Sequence, residues 1–176
     1  MGAFFVFMDS IHARSRFSRK LRSFRENDET ATDFSTDNYS FHLDDDDADE
    51  LGAALQESSY IQSFHLDVTA MTTEGCTELL IFLQNSASLS VVKLEGDLTT
   101  ASSRRNTQAI TNRLLVAVQE NSHIRSVKLL GTHFSVTAIQ NLLRDCSSLR
   151  ELALIGCWSS ASSAMTKAFA KALHGN

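Results

Sequence analysis

Proline is absent from this chain, glycine is limited to 7 residues, and the single tryptophan is Trp158. Such economy in turn-forming residues argues against a loop-dominated protein. The 3 cysteines, Cys76, Cys146 and Cys157, are odd in number and widely spaced, with no C-x-x-C pair. They fit reduced, mostly buried thiols in a cytoplasmic type of compartment better than a disulfide framework. No apolar run approaches the roughly 20 residues that a membrane helix needs. The chain has no P-loop, H-E-x-x-H or G-x-S-x-G motif, and its 6 histidines and 3 cysteines form no recognisable nucleophile–base pair. An enzyme is therefore not expected, and neither is a cofactor. The acidic run is not an EF-hand, because Glu50 stands where glycine is required and Gln56 where the bidentate glutamate belongs.

What is present is unevenly distributed. The net charge of −5 conceals a basic start, in which residues 1–25 carry Arg14, Arg16, Arg19, Lys20, Arg22 and Arg25 against the lone acid Asp9. Residues 26–50 then hold eleven acids and no Lys or Arg, and the rest of the chain is nearly neutral. On this pattern residues 1–37 read as a charged, mostly disordered arm and linker, with a basic amphipathic helix possible over 4–25 through Phe17, Leu21 and Phe24. Such a helix can lie on an anionic membrane or serve as an organelle address, and any membrane contact is expected to be confined to residues 4–25.

From Asn38 the chain repeats. Ser40-Phe41-His42-Leu43-Asp44 returns residue for residue as Ser63-Phe64-His65-Leu66-Asp67. Val92-Lys93-Leu94-Glu95-Gly96, Val127-Lys128-Leu129-Leu130-Gly131 and Leu152-Ala153-Leu154-Ile155-Gly156 follow as degenerate versions. Each alternates apolar and polar residues, as a strand burying one face does, and a helix-length apolar pattern comes after it. Those patterns are Cys76, Leu79, Leu80, Leu83; Ile110, Leu114, Leu115, Val118; Ile139, Leu142, Leu143; and Met165, Phe169, Leu173. The polar stretch Leu98 to Asn106 reads as a protruding loop. Asn85, Asn121, Cys146 and Asn176 fall near the helix ends.

Units starting at Ile61, Leu89, Ile124 and Leu149 resemble the leucine-rich repeat family in their strand half, L-x-x-L-x-L. At the ninth place stand Thr69, Asp97, Thr132 and Cys157, so only the last matches the family's Asn/Cys rule. A full helix after each strand is similar to the ribonuclease-inhibitor-like subtype. The resemblance spans residues 38–176 and implies an α/β solenoid, a horseshoe arc of about four to five strand–loop–helix units with a parallel sheet on its concave side. It implies a non-catalytic scaffold for protein–protein interaction, in which a protein partner binds the concave face.

Side chains between the apolar strand positions would form that face: His65, Asp67, Lys93, Glu95, Arg125, Lys128, Leu130, Arg150 and Ile155. A basic column would stand beside an acidic one, giving way to an apolar patch at Leu130 and Ile155. A nearly neutral repeat region gives no expectation of nucleic-acid binding. His42, Asp44, His65 and Asp67 could offer four ligands from two adjoining strands, although exposed His–Asp pairs are ordinarily charge pairs, and no metal is expected. The competing reading is an adaptor addressed to a membrane or organelle by the basic arm, whose repeats mediate self-association. With no C-terminal cap visible after Met165 to Leu173, the strand around Leu152 to Leu154 would be an open sheet edge. Either the array continues in a longer chain, or this edge pairs with another copy.

Overall fold

The computed structural model describes residues 2–39, 41–97 and 99–157, with side chains described for 12–39, 41–97, 99–100 and 104–157. In chain order the elements are α1 (Gly2–Arg25), β1 (Asp33–Ser35), a 3-10 turn (Thr36–Asn38), α2 (Asp45–Gln56), β2 (Ser63–Asp67), α3 (Thr77–Asn85), β3 (Val91–Glu95), α4 (Ala101–Glu120), β4 (Ser126–Leu130), α5 (Val136–Asp145) and β5 (Glu151–Ile155). All neighbouring strands are parallel, and their order in the sheet is β1-β2-β3-β4-β5. A parallel neighbour requires a crossover, and each crossover here is a helix packed beside the one before it. The result is a solenoid, one strand and one helix per unit.

Register explains the core. Phe34, Phe64, Val92, Val127 and Leu152 stand side by side across the sheet, and so do Leu66, Leu94, Leu129 and Leu154. Through Leu129 these side chains are fully buried; in β5 they are half-buried. Against them lie Leu51 and Leu55 of α2, Leu79, Phe82 and Leu83 of α3, Ile110, Leu114 and Val118 of α4, and Ile139 and Leu142 of α5. No unit could shield such a set alone, which is why the units stack. Asn121 ties two units together: its amide nitrogen donates to the Leu83 and Ser86 carbonyls at 2.7 and 2.8 Å, and its oxygen accepts from the His123 N–H at 2.7 Å. Gly52 lets α2 and α3 pack closely, since a Cβ there would lie 2.5 Å from the Glu78 carbonyl carbon.

Three expectations need correction. First, residues 12–37 are not a disordered arm. Ala13, Phe17, Leu21 and Phe24 of α1 are buried in the common core, and the Phe17 and Phe24 rings meet Phe34 of β1 edge-on at 6.4 and 6.3 Å. Helix α1 is the first helix of the array, so the expected boundary between 37 and 38 falls inside a packed unit. The basic and acidic blocks, separate along the chain, adjoin in space: Arg14 pairs with Asp47, and Arg25 with Glu50 at 3.0 Å.

Second, the first copy of the repeated phrase is not a strand. Ser40 lies outside the described residues, and Phe41 to Asp44 form an extended loop. Asp44 instead caps α2: its carboxylate accepts the Asp47 N–H at 3.0 Å, and Asp47 reciprocates toward the Asp44 N–H. Three acids at the start of a helix favour its positive end, so the residues after Asp44 begin a helix immediately. The first strand is Asp33–Ser35, whose Phe34 precedes Phe64 by 30 residues, nearer the later spacings than the 23 between the two phrases.

Third, the polar stretch from Leu98 to Asn106 is largely helical, since α4 begins at Ala101. The expected final helix, Met165 to Leu173, lies outside the described residues.

Candidate functional site

The sheet face opposite the helices carries the alternate strand residues. One ladder in register is Ser35, His65, Lys93, Lys128 and Ala153; the next is Asp67, Glu95, Leu130 and Ile155. Seven expected site residues therefore lie on this face. Arg125 and Arg150 come one residue before β4 and β5 respectively, exposed, with the Arg150 N–H donating to the Arg125 carbonyl at 2.7 Å. With strands about 4.8 Å apart, each ladder is dense.

The face divides into two halves with different chemistry. In the first, His65 is only 6% exposed. Its Nδ1 lies 2.8 Å from the Ser35 hydroxyl and 3.0 Å from Asp37 Oδ2, and its Nε2 lies 3.1 Å from Glu95 Oε2. The Lys93 ammonium stands 3.3 Å from Glu95, 3.7 Å from Asp37 and 3.4 Å from His65 Nδ1. Burial, followed by the Lys93 charge, holds the His65 pKa below its ordinary 6.5, while Asp37 and Glu95 act against that shift. In the neutral ring with its proton on Nε2, His65 donates to Glu95 and accepts at Nδ1 from Ser35, leaving Asp37 to Lys93. Lys93 thus offsets one of the two carboxylates, and the other is held by the His65 N–H.

Asp37, His65 and Glu95 place one ligand atom each within 4.8 Å of the others, a donor set chemically suited to a transition metal. Lys93 already supplies the cation between the carboxylates, so a metal would have to displace it. The four ligands considered from the sequence do not converge, because Asp44 caps α2 while His42 Nδ1 meets Asp67 Oδ2 at 3.0 Å. A cavity of about 250 Å³ opens beside this pair, with Thr36, Tyr39 and Phe41 among the residues lining it.

The second half is less satisfied. Lys128 reaches Glu151 at 3.3 Å, and the Ser126 hydroxyl donates to the other Glu151 oxygen at 2.6 Å. That hydroxyl, ahead of the lysine charge, holds the Glu151 pKa below the usual carboxylate range. Arg125 and Arg150 form no ion pair among the described residues. At the other end of the same strands, roughly 16 Å from the arginines, Leu130 is half-buried and Ile155 is 58% exposed. Sequence reasoning did not include Ser35, Asp37, Ser126 or Glu151. Ser126 and Glu151 could have been found from the period-two pattern, as each sits two residues before an outward lysine or alanine.

A scan against family models finds no match, and no curated protein matches the chain by sequence. Among solved structures, the tropomodulin C-terminal domain of Caenorhabditis elegans superposes with a TM-score of 0.61 at 15% identity, covering 90% of this chain and 94% of that one. Identity this low speaks to fold alone, and together with the five-stranded parallel sheet it establishes an α/β solenoid of leucine-rich-repeat type.

Proposed function

We propose that this protein is a non-catalytic scaffold that binds a protein partner through the C-terminal half of the open sheet face. One observation carries the reading. At one end of this half Arg125 and Arg150 are neighbours and form no ion pair among the described residues, and at the other end of the same strands, roughly 16 Å away, Ile155 is exposed and Leu130 half-buried, whereas His65, Lys93 and Glu95 are engaged with one another and Asp67 with His42. Arginine without a carboxylate partner and exposed apolar surface are both features of binding surfaces, and here they mark the two ends of one face. The partner would present acidic groups toward the start of β4 and β5 and an aliphatic or aromatic side chain toward their ends, roughly 16 Å away. One helix per return leg supports the ribonuclease-inhibitor-like subtype, and three free thiols support a reducing, cytoplasmic setting.

The membrane-addressed alternative is weaker for residues 12–25, whose apolar side chains are used in the core. Deleting residues 1–37 would remove α1 and β1, Phe34 included, and expose Phe64 of β2, and so cannot separate the two readings. The test is affinity capture with the full chain and with Arg125→Glu/Arg150→Glu and Ile155→Ser forms. We expect a partner retained by the native chain and lost by both variants, with melting temperature unchanged. Retention by both would refute this use of the face.

A further inference from the structure

Helix α1 carries cations on both of its flanks, and among the described residues only one flank forms ion pairs. Arg14 and Arg25 are eleven residues apart, close to three full turns, so they share the flank that faces α2. There they meet Asp47 and Glu50. Arg16, Arg19, Lys20 and Ser23 follow at helical spacing on the opposite flank, with the buried stripe of Ala13, Phe17, Leu21 and Phe24 between. That outer flank forms one wall of an open groove of about 510 Å³, and Asn38 and Tyr39 form the other. Among the described residues neither arginine nor Lys20 makes an ion pair there. Lys20 lies over the Phe24 ring and within electrostatic reach of Asp28, whose carboxylate accepts from the Thr30 N–H and hydroxyl, both at 2.8 Å. Asp33 of β1 and Arg16 both act on Tyr39, so the groove's cations are offset at a distance but not ion-paired.

We propose that this groove is a second docking site, and that its occupant is an acidic segment of a partner protein lying along α1. Two arguments select that occupant. Every inner helix of the array has a helix on each side, and α1 meets its inner neighbour through carboxylates. The outer side, where no described helix packs, repeats those demands: cations at one-turn spacing, open to an element about 10 Å across. The second argument is width. The groove offers cations from one flank of a single helix, about one turn apart, which matches the side chains of one acidic helix or strand rather than a broad array of phosphates.

The test uses the full chain and a fluorescein-labelled glutamate-rich helical peptide, read by anisotropy at low and physiological salt. We expect saturable binding that weakens as salt rises. Arg16→Glu/Arg19→Glu should weaken it about tenfold or more, with the far-ultraviolet spectrum unchanged. Asn38→Asp, on the other wall, should weaken it in the same direction. The equal charge change on the sheet face, Arg125→Glu/Arg150→Glu, should leave it within about twofold, because the peptide has no apolar anchor for that face. Thus a failure here is separable from a failure of the sheet-face reading. The proposal is overturned by no saturable binding, by equal losses in the two double variants, or by tighter binding of a poly-dT oligonucleotide or of phosphatidylserine-containing vesicles.

Discussion

Phe24→Ala distinguishes a packed first helix from a charged tail more sharply than any other single change. The side chain is fully buried, meets Phe34 at 6.3 Å, and has the Lys20 ammonium 5.2 Å from its ring centroid. Truncation to alanine removes on the order of 100–150 Å² of buried apolar surface, worth about 3 kcal/mol at 25 cal/mol per Å². The void left between α1 and β1 adds to that, giving a cost of about 3–5 kcal/mol. With a urea slope near ~2 kcal/mol per molar, the midpoint should fall by about 2 M. Urea titration followed by far-ultraviolet circular dichroism reads this directly. Total stability of a domain this size is only about 5–15 kcal/mol, so Phe24→Leu, expected to cost under about 1.5 kcal/mol, provides a variant that stays folded. An unchanged midpoint in Phe24→Ala would mean that α1 does not belong to the core.

Gly52→Ala should destabilise the chain even though alanine is the better helix former by about 1 kcal/mol, because its methyl would meet the Glu78 backbone at 2.5 Å; a raised melting temperature would show that α2 and α3 have room. Stability should fall on acidification from about pH 7.5 to about pH 5, since a His65 pKa held below 6.5 means the unfolded chain takes up the proton first. His65→Gln should flatten that part of the profile; an identical profile would place the titration elsewhere. The outer edge of β5 has no strand beside it among the described residues, and self-association through it is proposed. Light scattering should show mass rising with concentration, and a monomer throughout would exclude it.

The four strands from β2 onward were legible because parallel strands covered by helices need two apolar inward residues each, and Phe64/Leu66, Val92/Leu94, Val127/Leu129 and Leu152/Leu154 supply them. Strand β1 was not, since Phe34 is its one buried residue and period two cannot be seen in a single point. The duplicated pentapeptide misled for a related reason. Ser-Phe-His-Leu-Asp is a strand at 63–67, but at its first occurrence Phe41 to Asp44 form a loop running into a helix cap. Leu43 is buried in both senses of the pattern, so local alternation is satisfied either way; the three acids that follow decide it. The outward ladders of the site could be read from alternation. The closure of Ser35 and Asp37 over His65 could not, because it depends on β1.

The return legs differ in length far more than the strands do. Helix α4 has 20 residues, while α3 has 9 and α5 has 10, yet β3, β4 and β5 remain paired residue for residue. Spacing on the open face is therefore set by the hydrogen-bonded sheet, and surplus chain is carried outward on the helical side. Residues can be gained or lost in a return leg without moving any side chain of the opposite surface relative to its neighbours. Scaffold length and surface chemistry are in this sense separate heritable traits, free to change at different rates.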